Sequence, residues 1–86
     1  MWYAYILLCS DNSLYTGYSD DPQKRFLDHK NGKGARYTRS HKPLRIIYTE
    51  QLETKSEAMK REREIKSWRR EKKITELSLL HTIIPE

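Results

Sequence analysis

The feature that most constrains this chain is the unbroken aromatic and aliphatic run from Trp2 to Cys9. It has no polar alternation, so it reads as a strand buried on both faces. In a chain of 86 residues there is room for one modest core and one domain. Ser10, Asp11, Asn12 and Ser13 are turn formers, and Leu14 to Tyr18 reads as a second strand. The two strands therefore make a hairpin with a short loop. Gly17 weakens the second strand unless a backbone or a ligand comes close there.

Asp20-Asp21-Pro22 marks a helix start, with Asp21 as cap and Pro22 at the first helical position. That helix is expected to run to about Asn31, where Gly32 and Gly34 stop it. Residues 32–43 read as a basic loop closed by Pro43, and Leu44 to Leu52 as a third strand. Thr54 and Glu57 have capping-box spacing, though Ser56 can also cap, and a helix follows to about Trp68. A break over Ser67–Arg70 leads to a last helix from Glu71 to Leu80, with Ile74 and Leu77 facing inward. The expected order is ββαβαα. This is an α+β fold with a three-stranded antiparallel-type sheet flanked by three helices, occupying residues 1–80, with 81–86 as a tail.

Charge narrows the choice of partner. The net charge of +5 calls for an anionic one, nucleic acid before a membrane surface. Residues 1–21 carry no Lys or Arg, whereas Lys30 to Arg45 hold six and no acid. Lys55 to Lys73 hold nine against four Glu. Such runs often only solvate helices, but the acid-free one also contains Gly and Tyr. No stretch is apolar for long enough to span a bilayer, and none reads as a signal peptide. Cys9 is the single cysteine, so disulfides and a cysteine-rich zinc site are not expected, and a reducing cytoplasm fits.

Helical geometry then singles out polar residues. At about 100° per residue, Ala58, Glu62 and Ile65 share one stripe, so Glu62 points inward while Glu64 does not. An inward Glu is costly unless it is paired with a cation or bound to a metal. Arg25 and His29 lie one turn apart on one helix face, with Phe26 as the anchor beside them. Alone they read as well as a solvated pair. Facing one sheet together with Glu62, they would make a phosphate site, with Arg as the bidentate partner. Tyr5 and Tyr15 supply hydroxyls from the hairpin, although aromatic strand residues are usually core.

Tyr3-Ala4-Tyr5, Tyr15-Thr16-Gly17, Arg25 with His29, and Glu62 fall in the order and spacing of the GIY-YIG nuclease superfamily, which the chain resembles over residues 2–77. Lys33-Gly34-Ala35-Arg36-Tyr37-Thr38-Arg39 resembles the loop of its small single-domain bacterial members. Ala58 to Glu62, Ile65-Lys66 and Lys72-Lys73 look like theirs too. The first motif lacks its Gly and Ile, and Thr16 replaces an Ile in the second.

The resemblance implies a metal-dependent endonuclease that hydrolyses phosphodiester bonds, with DNA favoured over RNA. It implies one divalent cation, Mg²⁺ or Mn²⁺, on Glu62. Tyr15 would be the general base or position the attacking water, and Arg25 would stabilise phosphate charge. His29 would assist proton transfer or hold the water, and Tyr5 would orient the phosphate or Tyr15. Lys33, Arg36, Arg39 and Lys42 are the expected backbone contacts. No base-reading motif is present, so structure-selective or weakly specific action is expected, in DNA repair or recombination, with a protein partner able to add specificity. The rival expectations are a GIY-YIG fold that binds nucleic acid without cutting, and a basic protein-interaction domain.

Overall fold

The structure, a computed structural model, describes residues 1–80; the expected tail lies outside the described residues. Strand β1 (Trp2–Cys9) is the middle of a three-stranded antiparallel sheet, between β2 (Leu14–Ser19) and β3 (Pro43–Leu52). That position explains its uniform apolarity, because both of its faces are covered. Ala4 to Cys9 are each no more than 4 % exposed. Tyr5 lies opposite Gly17 on one side and Thr49 on the other. The hairpin closes as expected. Asn12 takes a left-handed φ of 70°, which Asn tolerates, and the Asp11 carboxylate accepts from the Ser13 amide.

Helices cover both faces of the sheet. Helix α3 (Lys55–Lys66) and helix α4 (Arg70–Glu76) lie on the face of Ala4, Ile6 and Leu8, where Ile65 and Leu79 complete the core. Truncating Ile65, which is 0 % exposed, would cost roughly 2–5 kcal/mol. Helix α1 (Pro22–Lys30) lies on the face of Tyr5. Its Asp21 cap accepts from the Lys24 amide and Pro22 opens it. At the start of α3, Thr54 accepts from the Glu57 amide and its hydroxyl donates to the Glu57 carboxylate.

Three expectations need correction. The segment expected as an uninterrupted loop contains a short helix, α2 (Arg36–Ser40), so among the described residues the order is ββααβαα with four helices. Its five residues have no apolar period. What holds them is Thr38, 2 % exposed, whose hydroxyl donates to the Ala35 carbonyl and meets the His29 ring. The last helix starts at Arg70 but ends at Glu76, short of Leu80. Ser78 turns left-handed there (φ 54°), and the turn drops Leu79 into the core. Phe26 is not the deepest anchor of α1; His29 is, at 1 % exposure, while Phe26 is half-buried. Ile74 and Leu77 do pack against the core. Beside them, however, α4 buries Lys73 to 9 % exposure, which an amphipathic pattern does not anticipate.

Candidate active site

A cleft of about 320 Å³ opens along the β2 edge of the sheet, between α1 and α3. Tyr5, Tyr15 and Gly17 form its floor, Arg25 its α1 wall, and Lys55 and Glu62 its α3 wall. Four residues picked from the sequence thus arrive from four different elements. His29, the fifth, is not in the lining. It stands behind Tyr5, with Nε2 at 2.9 Å from the Tyr5 hydroxyl.

Two glycines make this stack of rings possible. A Cβ on Gly17 would lie 2.6 Å from the Tyr5 hydroxyl oxygen, so the Tyr5 phenol rests directly on a bare backbone. A Cβ on Gly34 would lie 2.1 Å from His29 Nδ1. Gly34 therefore lets the chain after α1 fold down over the imidazole. There Nδ1 meets the Thr38 hydroxyl at 2.8 Å and the Ala35 amide at 3.3 Å. The Thr38 hydroxyl gives its proton to the Ala35 carbonyl, so it and the Ala35 amide make opposite demands on Nδ1, and the tautomer of His29 sets the direction of the Tyr5 bond. The Tyr15 ring completes the stack, 4.9 Å from His29 and 6.4 Å from Tyr5, centroid to centroid.

The electrostatics sort these groups by charge state. Burial, and then the nearby Arg25 guanidinium, push the His29 pKa down to about 4, so the imidazole is neutral at pH 7. Burial pushes the Tyr5 phenol well above its usual range, Tyr15 adds to that, and Arg25 opposes it. Burial also raises Tyr15, with Arg25 pulling down and Glu62 pushing up. Both phenols are therefore neutral, and a base at Tyr15 needs one more positive charge nearby. Arg25 is 40 % exposed at the mouth, where Asp28 at 3.7 Å holds it only loosely.

Glu62 behaves as its helical phase predicts. Its side chain is 17 % exposed between the buried Ala58 and Ile65, whereas that of Glu64 is 56 % exposed. Its ion-pair partner is Lys66 at 3.5 Å, a side chain 54 % exposed and able to swing away. Among the described residues no three His, Cys, Asp or Glu converge. A metal here would have one protein carboxylate and water for the rest, which suits Mg²⁺ or Mn²⁺ and not the nitrogen- and sulfur-rich sets of zinc. Glu62, opening into a polar cleft beside Arg25, fits such an ion. The ion would also reverse the sign of the Glu62 field at Tyr15.

Lys33, Arg36, Arg39 and Lys42 are all exposed. Arg36 borders a hollow that lies on the far side of Tyr15 from the cleft and is also lined by Lys66 and Lys73. Tyr37, Thr38 and Lys73 escaped sequence reasoning as individuals, and Gly34 was expected only to stop the first helix. Gly34, Tyr37 and Thr38 lay inside a stretch noted for its resemblance, but nothing local says that they close on His29 and Tyr15. Tyr37 stacks between Tyr15 and His41, 5.9 Å and 4.1 Å away.

The fold and this tyrosine-lined cleft define a class of small α+β domains, and comparison with known proteins agrees. The family model described as the GIY-YIG catalytic domain matches residues 1–75, and the chain belongs to that family. It is similar to a UPF0213 protein of Staphylococcus saprophyticus, 51 % identical over 76 residues, covering 88 % of this chain and 93 % of that one. Among solved structures it resembles the UPF0213 protein BH0048 of Bacillus halodurans, at 46 % identity and a TM-score of 0.58, covering 93 % of this chain and 86 % of the other. A protein of E. faecalis matches at 39 % identity and a TM-score of 0.60, over 98 % of this chain and 90 % of its own. The GIY-YIG assignment places the chain in a nuclease superfamily. Among the described residues no helix is long and apolar enough to cross a membrane.

Proposed function

We propose that the protein is a divalent-metal-dependent endonuclease that hydrolyses phosphodiester bonds, in DNA before RNA. The observation that carries this reading is the convergence of Tyr5, Tyr15, Arg25 and Glu62 on one cleft. When bound at Glu62, Mg²⁺ or Mn²⁺ supplies Lewis-acid chemistry at the scissile phosphate. Arg25 grips the phosphate oxygens and stabilises the charge that builds on them. Tyr15 takes the proton of the attacking water, or positions it, once a cation favours its phenolate. Tyr5 orients the phosphate or Tyr15. His29, neutral and walled off, holds Tyr5 in place; it is a positioning residue and not a proton carrier. Exposed Lys33, Arg36, Arg39 and Lys42 contact the backbone, which positions a strand without reading its sequence. This reading fits structure-selective work on repair or recombination intermediates in the cytoplasm, with a protein partner adding specificity.

A non-cutting binder is the second reading, favoured by the raised Tyr15 phenol. A cleavage panel of flaps, forks, hairpins and RNA, with Mg²⁺ and with chelator, separates the two. The nuclease reading expects Mg²⁺-dependent nicking that Glu62→Ala abolishes while the fold stays intact. Binding without nicking on every substrate, or nicking by Glu62→Ala at the wild-type rate, sinks it.

A further inference from the structure

The hollow on the far side of Tyr15 is a site in its own right. Leu14, Tyr37 and the other edge of Tyr15 give it apolar walls, and Arg36, Lys66 and Lys73 give it three cations. Its volume, about 410 Å³, exceeds that of the cleft. Lys73 is the unusual member. It is 9 % exposed, its ammonium donates only to the Thr16 hydroxyl at 3.3 Å, and no carboxylate among the described residues pairs with it. Lys66 is shared with Glu62, and Arg36 has no ion pair among the described residues. A buried ammonium whose partner is a neutral hydroxyl is costly in a fold of this size. Burial lowers its pKa, and the neighbouring Lys66 and Arg70 lower it further, so its surroundings oppose the charge from every charged neighbour. Such a group is what an incoming anion would relieve.

We propose that this hollow is a second nucleotide subsite, in which Lys73, Lys66 and Arg36 take a backbone phosphate and Tyr37 and Leu14 take its sugar or base ring. The inference rests on the reading that the cleft takes the scissile phosphodiester. Because Tyr15 forms a wall of both hollows, the subsite holds the nucleotide next to the bond being cut. It sets the register of the strand on Tyr15 without a metal, since its lining contains no carboxylate. Tyr37, 38 % exposed, is already stacked between Tyr15 and His41, so it offers the edge of its ring, and not a free face, to the sugar or base.

The test is an amide-resolved NMR titration of the full chain with a 5′-phosphorylated thymidine dinucleotide, in chelator so that nothing is cut. Saturable shifts are expected at Leu14, Thr16, Ala35 and Tyr37. Arg36→Ala and Lys73→Met should each weaken binding about tenfold, the size of one charge-assisted hydrogen bond. Inorganic phosphate, which lacks a ring, should bind more weakly by about tenfold or more. Lys73→Met should also melt no lower than wild type, because it removes a desolvated charge. Shifts confined to Trp2, Gly17, Arg25 and Lys55 would overturn the proposal. So would affinities unchanged by both variants, or phosphate binding as tightly as the dinucleotide. Should Lys73→Met not fold, Arg36→Ala and Tyr37→Ala at the rim decide the matter alone. Glu62→Ala, which frees Lys66 and removes a carboxylate, is expected to bind the dinucleotide no more weakly than wild type does. Binding here with no cleavage in the panel would retain the subsite and reject the nuclease; cleavage without binding here would do the reverse.

Discussion

Two hollows share Tyr15 as a wall, and one has an acid in its lining where the other has none. The cleft holds Glu62 with Arg25 and Lys55; the hollow beyond holds Arg36, Lys66 and Lys73 and no carboxylate. A carboxylate is what a hard divalent ion requires, while a phosphate needs only cations. On the proposed reading, one side of Tyr15 serves the chemistry and the other the grip. Lys66 joins them, since its ammonium lies 3.5 Å from Glu62 and 5.7 Å from the centre of the Tyr15 ring. The lesson is that counting basic residues does not distinguish a catalytic surface from a docking one. The placement of a single acid does.

The largest expected effect breaks this comparison if it fails. Arg25→Ala should lower the cleavage rate by about 10²–10³-fold, as loss of a transition-state charge partner does. Arg36→Ala should raise KM and leave kcat near wild type, because its contact is the same in ground and transition states. Equal losses of kcat in the two variants would dissolve the distinction between the flanks. Retained turnover in Arg25→Ala, with weaker binding alone, would move Arg25 to the docking side.

The next effect concerns the support behind Tyr5. In the unfolded chain His29 takes up a proton near its ordinary pKa of 6.5, but in the fold it resists protonation down to about 4. Protonation thus favours the unfolded state. The contribution of a neutral His29 is complete above pH 6.5, is lost as pH falls through that window, and levels off below pH 4. The total is roughly 3 kcal/mol. Denaturant melts across this range should show the fall in wild type and a flatter curve in His29→Gln. Parallel curves for the two proteins would mean that His29 is already charged in the fold.

Gly17→Ala should follow in size. Its methyl would sit 2.6 Å from the Tyr5 hydroxyl and displace the phenol, at a cost of roughly 1–3 kcal/mol. Cleavage should fall with it, since Tyr5 would lose its seat on the cleft floor, whereas the dinucleotide affinity of the far hollow should hold. The smallest effects belong to Lys33, Arg39 and Lys42, which border neither hollow. Each Ala variant should weaken nucleic-acid binding evenly across sequences and reduce the salt slope by about one or less.

Much of this molecule could be read without coordinates. The continuous apolarity of β1 placed it between covered faces, the Asp21 cap located one helix start to the residue, and of the two caps open for α3 the structure uses Thr54 and not Ser56. Glu62 could be found because α3 is regular and period alone sets its phase. Helix α2 could not, because a five-residue helix is held by the Thr38–His29 contact and not by its own pattern. The depth of His29 was hidden for a related reason. Spacing puts Arg25 and His29 on one face but is silent about how far down that face the sheet begins.

The sequence by itself determined the strand that forms the core, the helix phases, the family and the polar groups on offer, because these follow from local periodicity and residue type. Only the tertiary structure decided which of those groups meet. It set His29 beneath Tyr5, brought Gly34 and Thr38 over the imidazole, and left Lys73 buried beside Thr16. Those contacts join residues far apart in the chain, and their energies depend on burial, which no local window of sequence specifies.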